Sequence, residues 1–308
     1  MRPTMNRRII FSLLILILLS ASAGSCGSAG SSGPGGTSSP GGRGATYYVK
    51  AGGNDSLDGL SDANAWARIS KVQATVTSGD TVYFRSQDTW TATGASPLLT
   101  PKAGVTYDGS TYGSGTRAKF TTAYTGAGQC LIRIIGSNVT ITGIECDMNA
   151  KRVHGIYIGD AGYTSDDIYN TVIDNCVIHN SSGQSGDWGY GILVTSGPGY
   201  VTYNTTIKNC EIYNTFHEGI AVYANWGYYN CKSDGTLIRN CYIHDTGNAG
   251  VGAGSGVDIN NNSANVTVEF CYLCNNSAHG VGFRVSPPNE GAGNILAGPT
   301  NTTTLSYS

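Results

Sequence analysis

The sequence predicts an all-β solenoid whose coils are made of short parallel strands, and three observations predict it. A nine-residue phrase recurs along the chain. It reads Val-Ile-Asp-Asn-Cys-Val-Ile-His-Asn at 172–180, Thr-Ile-Lys-Asn-Cys-Glu-Ile-Tyr-Asn at 206–214 and Leu-Ile-Arg-Asn-Cys-Tyr-Ile-His-Asp at 237–245. A degraded copy, Thr-Val-Glu-Phe-Cys-Tyr-Leu-Cys-Asn, lies at 267–275. The cysteines fall at 176, 210, 241 and 271, so the period is 34, 31 and then 30 residues, the range of a repeat architecture. A second, glycine-led phrase alternates with the first: His-Gly-Ile-Tyr-Ile (154–158), Tyr-Gly-Ile-Leu-Val (190–194), Glu-Gly-Ile-Ala-Val (218–222), Ser-Gly-Val-Asp-Ile (255–259) and His-Gly-Val-Gly-Phe (279–283). Finally, 44 glycines and only 12% charged residues in 308 suit a turn-rich extracellular β protein rather than a helical one.

Taken from the N-terminus, residues 1–25 read as an export signal. Arg7 and Arg8 precede an apolar run from Ile9 to Leu19, broken only by Ser12 and too short to span a bilayer. Ala21-Ser22-Ala23 offers a signal-peptidase site, and Ala23-Gly24-Ser25-Cys26 is similar to the bacterial lipobox, with Ala23 where leucine is usual. Residues 26–44, almost wholly Gly, Ser, Pro and Thr, form a flexible tether. We therefore expect lipid on Cys26 and a cell-surface or outer-membrane location, with plain secretion as the alternative. The membrane would be met only through that lipid. A net charge of −2 gives no case for nucleic acid.

The folded domain is expected from Ala45 to Ser308. Tyr47-Tyr48-Val49 reads as a strand, followed by a polar turn, a short helix over Ile69–Ala74 with Val72 on its inner side, and a strand at Thr81-Val82-Tyr83-Phe84. A helix laid over the open end of a solenoid is a cap.

Within the repeats, apolar and polar residues alternate as in a half-buried strand. Ile173, Ile207, Ile238 and Val268 share one inward column; Ile178, Ile212, Ile243 and Leu273 share another. Between them Asn175, Asn209 and Asn240 tolerate the left-handed backbone of a one-residue bend, and stacked asparagines can bond along the coil. Phe270 breaks that ladder. With the glycine-led segment, one period holds three strands. The cysteine column reads as buried thiols, because in-register parallel side chains point the same way and make poor disulfides. Cys271 and Cys274 have zinc-knuckle spacing but no partner pair.

The outward positions of the glycine-led strands form columns: His154, Tyr190, Glu218, Ser255, His279; then Tyr157, Leu193, Ala221, Asp258, Gly282; then Gly159, Thr195, Tyr223, Asn260, Arg284. Aromatic faces and hydrogen-bonding edges suit sugars. Tyr223, Trp226, Asn260, His279 and Trp188 are the expected substrate-binding residues, the tryptophans coming from long connections beside these strands. The competing reading is an ordinary solvated sheet, on which outward residues are polar anyway.

The order Tyr-Tyr-Val, Gly-Asn-Asp, Gly-Asp-Thr-Val at 47–49, 53–55 and 79–82 resembles the opening segment of secreted right-handed parallel β-helix proteins of the pectate-lyase-like superfamily. The resemblance implies a right-handed parallel β-helix with an N-terminal cap and a polysaccharide lying along one sheet. It further implies carboxylates holding calcium against a uronate, and a basic side chain removing the neighbouring proton. On that analogy Arg284 is the expected base, with Asp258 and Glu218 as catalytic partners and metal ligands. The Asn-Thr-Asp, Gly-His-Gly, Trp-Ile-Asp-His and Asp-Pro-His-Asp motifs of its enzyme subfamilies are absent, so no catalytic residue transfers by motif. The expected function is binding and degradation of an acidic polysaccharide by lyase or glycosidase chemistry; the alternative is a non-catalytic glycan-binding or adhesive surface protein. The chain stops at Ser308 with a β-like segment and no evident cap, which leads us to expect a domain truncated at its C-terminus that associates end to end.

Overall fold

The computed structural model describes residues 44–159, 162, 165–183, 189–224, 231–247, 254–260 and 263–283, and the backbone of 304–306. Residues 1–43, which include Cys26, lie outside the described residues.

Every named strand pair is parallel, and successive coils stack into four sheets. Sheet A has nine strands, from Thr46–Val49 through Val172–Asp174, Thr206–Lys208, Leu237–Arg239 and Thr267–Glu269 to Thr304–Ser306. Sheet B has seven, including Ile144–Lys151, Val177–Ser181, Glu211–Tyr213, Tyr242–His244 and Tyr272–Cys274. Sheet C has six: Gln129–Ile134, Val153–Ile158, Ile192–Val194, Ile220–Val222, Val257–Ile259 and Val281–Phe283. Sheet D has four very short strands: Ile168–Tyr169, Val201–Tyr203, Lys232–Asp234 and Ser263–Ala264. The expected three strands per coil are thus four. Sheet D escapes the sequence pattern because its two- and three-residue strands are too short to alternate visibly.

The inward columns fall where the repeat places them. Ile141, Ile173, Ile207, Ile238 and Val268 are in register and buried. Cys146, Ile178, Ile212 and Ile243 form the matching column of sheet B. Burying each such side chain contributes about 1.5–3 kcal/mol, and the columns join one continuous core. Cys176, Cys210, Cys241 and Cys271 lie along it as free thiols, each donating to the carbonyl two residues earlier.

The bends are left-handed, as expected. Asn175, Asn209, Asn240 and Phe270 have φ of 50°, 54°, 52° and 53°. Two further columns do the same work. Asn180, Asn214, Asp245 and Asn275 close the sheet B strands, and Asn138, Asn170, Asn204, Gly235 and Asn265 precede sheet A. Amide ladders run along them: Asn240 Nδ2 donates to Asn209 Oδ1 at 3.4 Å and Asn170 Nδ2 to Asn138 Oδ1 at 3.0 Å.

The helix spans Ile69–Thr75. Its buried Ile69 and Val72 belong to the same continuous core as Val49, Val82 and Phe84.

Candidate functional site

The glycine-led strands are those of sheet C. Gly155, Gly191, Gly219 and Gly256 are not in the left-handed region; they are required by space, not by turning. A Cβ on Gly191 would lie 2.5 Å from the Gly219 carbonyl oxygen and 2.5 Å from Ile212 Cγ2, and one on Gly219 would meet Ile243 Cγ2 at 2.5 Å. The Gly191 and Gly219 N–H groups donate to the carbonyls of Glu218 and Ser255 at 3.1 and 3.0 Å. This close stacking sets the residue before each glycine directly over its counterpart in the next coil.

The outer face is not the solvated surface that the competing reading supposes. Glu218 is 1% exposed and Asp258 3%; Arg133, His154, Tyr190, Leu193, Ala221, Thr195 and Asn260 are buried as well. Arg133, Tyr157, Leu193, Ala221, Asp258 and Gly282 form one column in strict register. Tyr190, Leu193 and Ala221, with Tyr157 and Tyr223, make a small apolar cluster separate from the main core.

Polar chemistry surrounds that cluster. His217 Nδ1 and Glu218 Oε2 are hydrogen-bonded. Tyr190 lies edge-on to His217 with ring centres 4.9 Å apart and stacks on His154 at 5.3 Å. The Tyr190 N–H donates to His154 Nδ1 at 3.2 Å. Burial, reinforced by His217 and Arg133, pushes the His154 imidazole down to about 3, so this ring is neutral at ordinary pH. Burial first, and the Asp258 carboxylate next, holds the Tyr223 phenol above its usual range, against a hydrogen bond with Tyr190. Asn260 Nδ2 donates to Asp258 Oδ2 at 3.4 Å.

Of the expected site residues, Glu218, Tyr223, Asp258 and Asn260 share this face, and His279 sits exposed at its last described coil. Arg284, Trp188 and Trp226 lie outside the described residues. Sequence reasoning missed Arg133, because its strand Gln129–Ile134 lacks the glycine that marks the others. His217 directly precedes Glu218 in the chain, and that adjacency is the signal that could have found it.

A second cluster lies on the outer face of sheet B. Ligand atoms of Glu145, Asp147 and His179 all fall within 4.8 Å of one another. His179 pairs in register with Asp147. The nine-residue phrase is first legible at Val172, so the sequence offers no copy of it in the earlier coil that carries Glu145 and Asp147.

Residues 62–295 match the family model described as "Right handed beta helix region". No curated protein matches the sequence. Among solved structures, pectate lyase Pel9A is similar with a TM-score of 0.52 and 15% identity, covering 75% of this chain and 63% of its own. The GH136 lacto-N-biosidase from Eubacterium ramulus gives 0.51 and 14%, covering 73% of this chain and 45% of its own. An alginate lyase from Paenibacillus sp. str. FPU-7 gives 0.48 and 20%, with 67% and 64% covered. At these identities the likeness concerns the fold, and the chain spans less than two thirds of each of these proteins.

Proposed function

This chain belongs to the right-handed β-helix family, and on that premise we propose that it is an exported carbohydrate-active protein whose site is the outer face of sheet C. The observation that carries the proposal is the burial of Glu218, 1% exposed, against the imidazole of His217. A carboxylate is rarely desolvated unless it is paired, and such pairs gather where chemistry is done.

The preferred substrate is an acidic polysaccharide and the preferred reaction β-elimination. The Glu218–His217 pair takes the proton next to the uronate carboxyl group. The carbon–oxygen bond to the leaving sugar breaks, a carbon–carbon double bond forms, and a phenol from Tyr190 or Tyr223 protonates the departing oxygen. Arg133 neutralises the carboxylate, and Arg284, the base expected from sequence, lies outside the described residues. Asp258 and Asn260 position the sugar. In a glycosidase the same carboxylates, Glu218 and Asp258, would flank the bond instead.

Calcium at Glu218 and Asp258 fits poorly with these donors. The ion takes six to eight oxygens, and Glu218 Oε2 is engaged by a histidine nitrogen. The steps above therefore use the chain's own groups.

The test is a panel of acidic and neutral polysaccharides, read by ultraviolet absorbance of unsaturated products and by reducing ends, with and without chelator. Wild type should release product, and Glu218→Gln should lose at least about a hundredfold in kcat with binding retained. Full turnover by Glu218→Gln overturns the assignment. Glycan binding with no product from any polymer leaves the non-catalytic surface protein, which the missing subfamily motifs favour. Residues 1–25 as export signal and lipid on Cys26 are part of the same proposal: palmitate should label wild type and not Cys26→Ala.

A further inference from the structure

Asp147 and His179 stand opposite each other on neighbouring strands of sheet B, with Glu145 two residues before Asp147 on the same outward side. The His179 side chain is only 7% exposed. Tyr213 stacks on it, ring centres 4.8 Å apart and planes 2° from parallel. Its Nε2 lies 3.1 Å from Glu145 Oε1. An ionised carboxylate only accepts, so the proton of the neutral ring belongs on Nε2. Nδ1 then turns a lone pair toward Asp147 Oδ1, 3.9 Å away. That nitrogen is shut off from water and no hydrogen bond reaches it. The separation is too long for a hydrogen bond even from an imidazolium. A buried lone pair on Nδ1 thus faces a carboxylate oxygen of the partly exposed Asp147, which is costly unless a positive charge lies between them.

We propose that His179 and Asp147, with Glu145, form a binding site for a divalent transition-metal ion of the zinc class. Ligands about 2.1 Å from a tetrahedral ion lie about 3.4 Å apart, so the observed pair has only to close by a few tenths of an ångström. Glu145 supplies what ligating histidines require at the far ring nitrogen, a carboxylate that accepts the N–H and fixes the tautomer. Asp147 is oriented by the Asn149 N–H at 2.9 Å and the Asn180 amide at 3.4 Å, both on Oδ1. A nitrogen donor selects against calcium and magnesium, which want oxygen. Both carboxylates are partly exposed, leaving an entry path and room for water to complete the coordination.

Lys119 already lies against the site, its Nζ 2.6 Å from Glu145 Oε1 and 3.5 Å from Asp147 Oδ2. Its side chain is half-exposed and can swing outward. The metal must displace this ammonium, so Lys119 weakens binding rather than supporting it. That sign separates a metal site from a plain ion-pair network.

The experiment titrates the chelator-treated full chain with Zn2+ by calorimetry and with Co2+ by absorption spectroscopy. One equivalent should bind, with a cobalt spectrum free of thiolate charge-transfer bands. His179→Gln and Asp147→Asn should each weaken binding at least about tenfold, and Lys119→Ala should strengthen it about tenfold or more by removing a like charge. Circular dichroism confirms that each variant folds; Lys119→Ala keeps the test decisive if the others do not. Zinc binding that His179→Gln leaves unchanged, a thiolate spectrum, preference for Ca2+, or weaker binding in Lys119→Ala each overturns the proposal.

Discussion

Replacing Asn209 separates the two jobs this residue does in its bend. It holds φ at 54°, where a residue with an ordinary Cβ loses about 1–2 kcal/mol. Its Nδ2 donates to Asp174 Oδ1 at 2.8 Å, and its Oδ1 accepts from Asn240 Nδ2 at 3.4 Å. The side chain is exposed, so the first bond contributes about 1 kcal/mol and the long second one a few tenths. Asn209→Ala loses both bonds and carries the backbone strain, about 2–3 kcal/mol together. Asn209→Gly loses the bonds but relaxes the strain. Glycine should therefore be the more stable variant by about 1 kcal/mol, the reverse of an ordinary strand position, where it is worse than alanine by about 0.5–1 kcal/mol. Urea unfolding at unchanged m-value measures the difference. An Asn209→Ala protein as stable as Asn209→Gly would refute the reasoning, because the bend would then not be enforced at this residue.

Phe270 occupies the same bend in the next coil at φ 53° and is 49% exposed; Phe270→Asn should raise stability by about 1 kcal/mol, read as a higher urea midpoint. Gly191→Ala forces a Cβ to within 2.5 Å of the Gly219 carbonyl oxygen and Ile212 Cγ2, which should cost about 1–3 kcal/mol and, through the shifted sheet C, lower any activity on polysaccharide; unchanged melting and turnover would count against the close-stacking account. His154 has a folded value of about 3 against an ordinary 6.5, so the unfolded chain takes up a proton that the folded chain refuses. Its contribution is complete above about pH 6.5 and declines by about 1.4 kcal/mol per unit as pH falls toward 3. His154→Gln should flatten that part of the stability curve, measured as urea midpoints at pH 7 and pH 5.

What the sequence determined by itself is the coil. A buried column needs an apolar residue once per period, and a one-residue bend favours asparagine or glycine. Both demands are local and repeated, so Ile173, Ile207 and Ile238, or Asn175, Asn209 and Asn240, can be read without coordinates. The resemblance of residues 47–82 pointed to the same family that the match over 62–295 shows. The glycine-led phrase marked the strands of sheet C, whose outer face carries Glu218, Tyr223, Asp258 and Asn260. Only the tertiary structure decided that this outer face is buried, since exposure depends on what lies over a strand and alternation reports only which side is which. It alone brought Arg133 into line with Tyr157, across coils whose spacing departs from the period. It alone set Glu145 and Asp147 against His179: side chains more than thirty positions apart in the chain become neighbours when parallel coils stack about 4.8 Å apart, and nothing in either segment refers to the other.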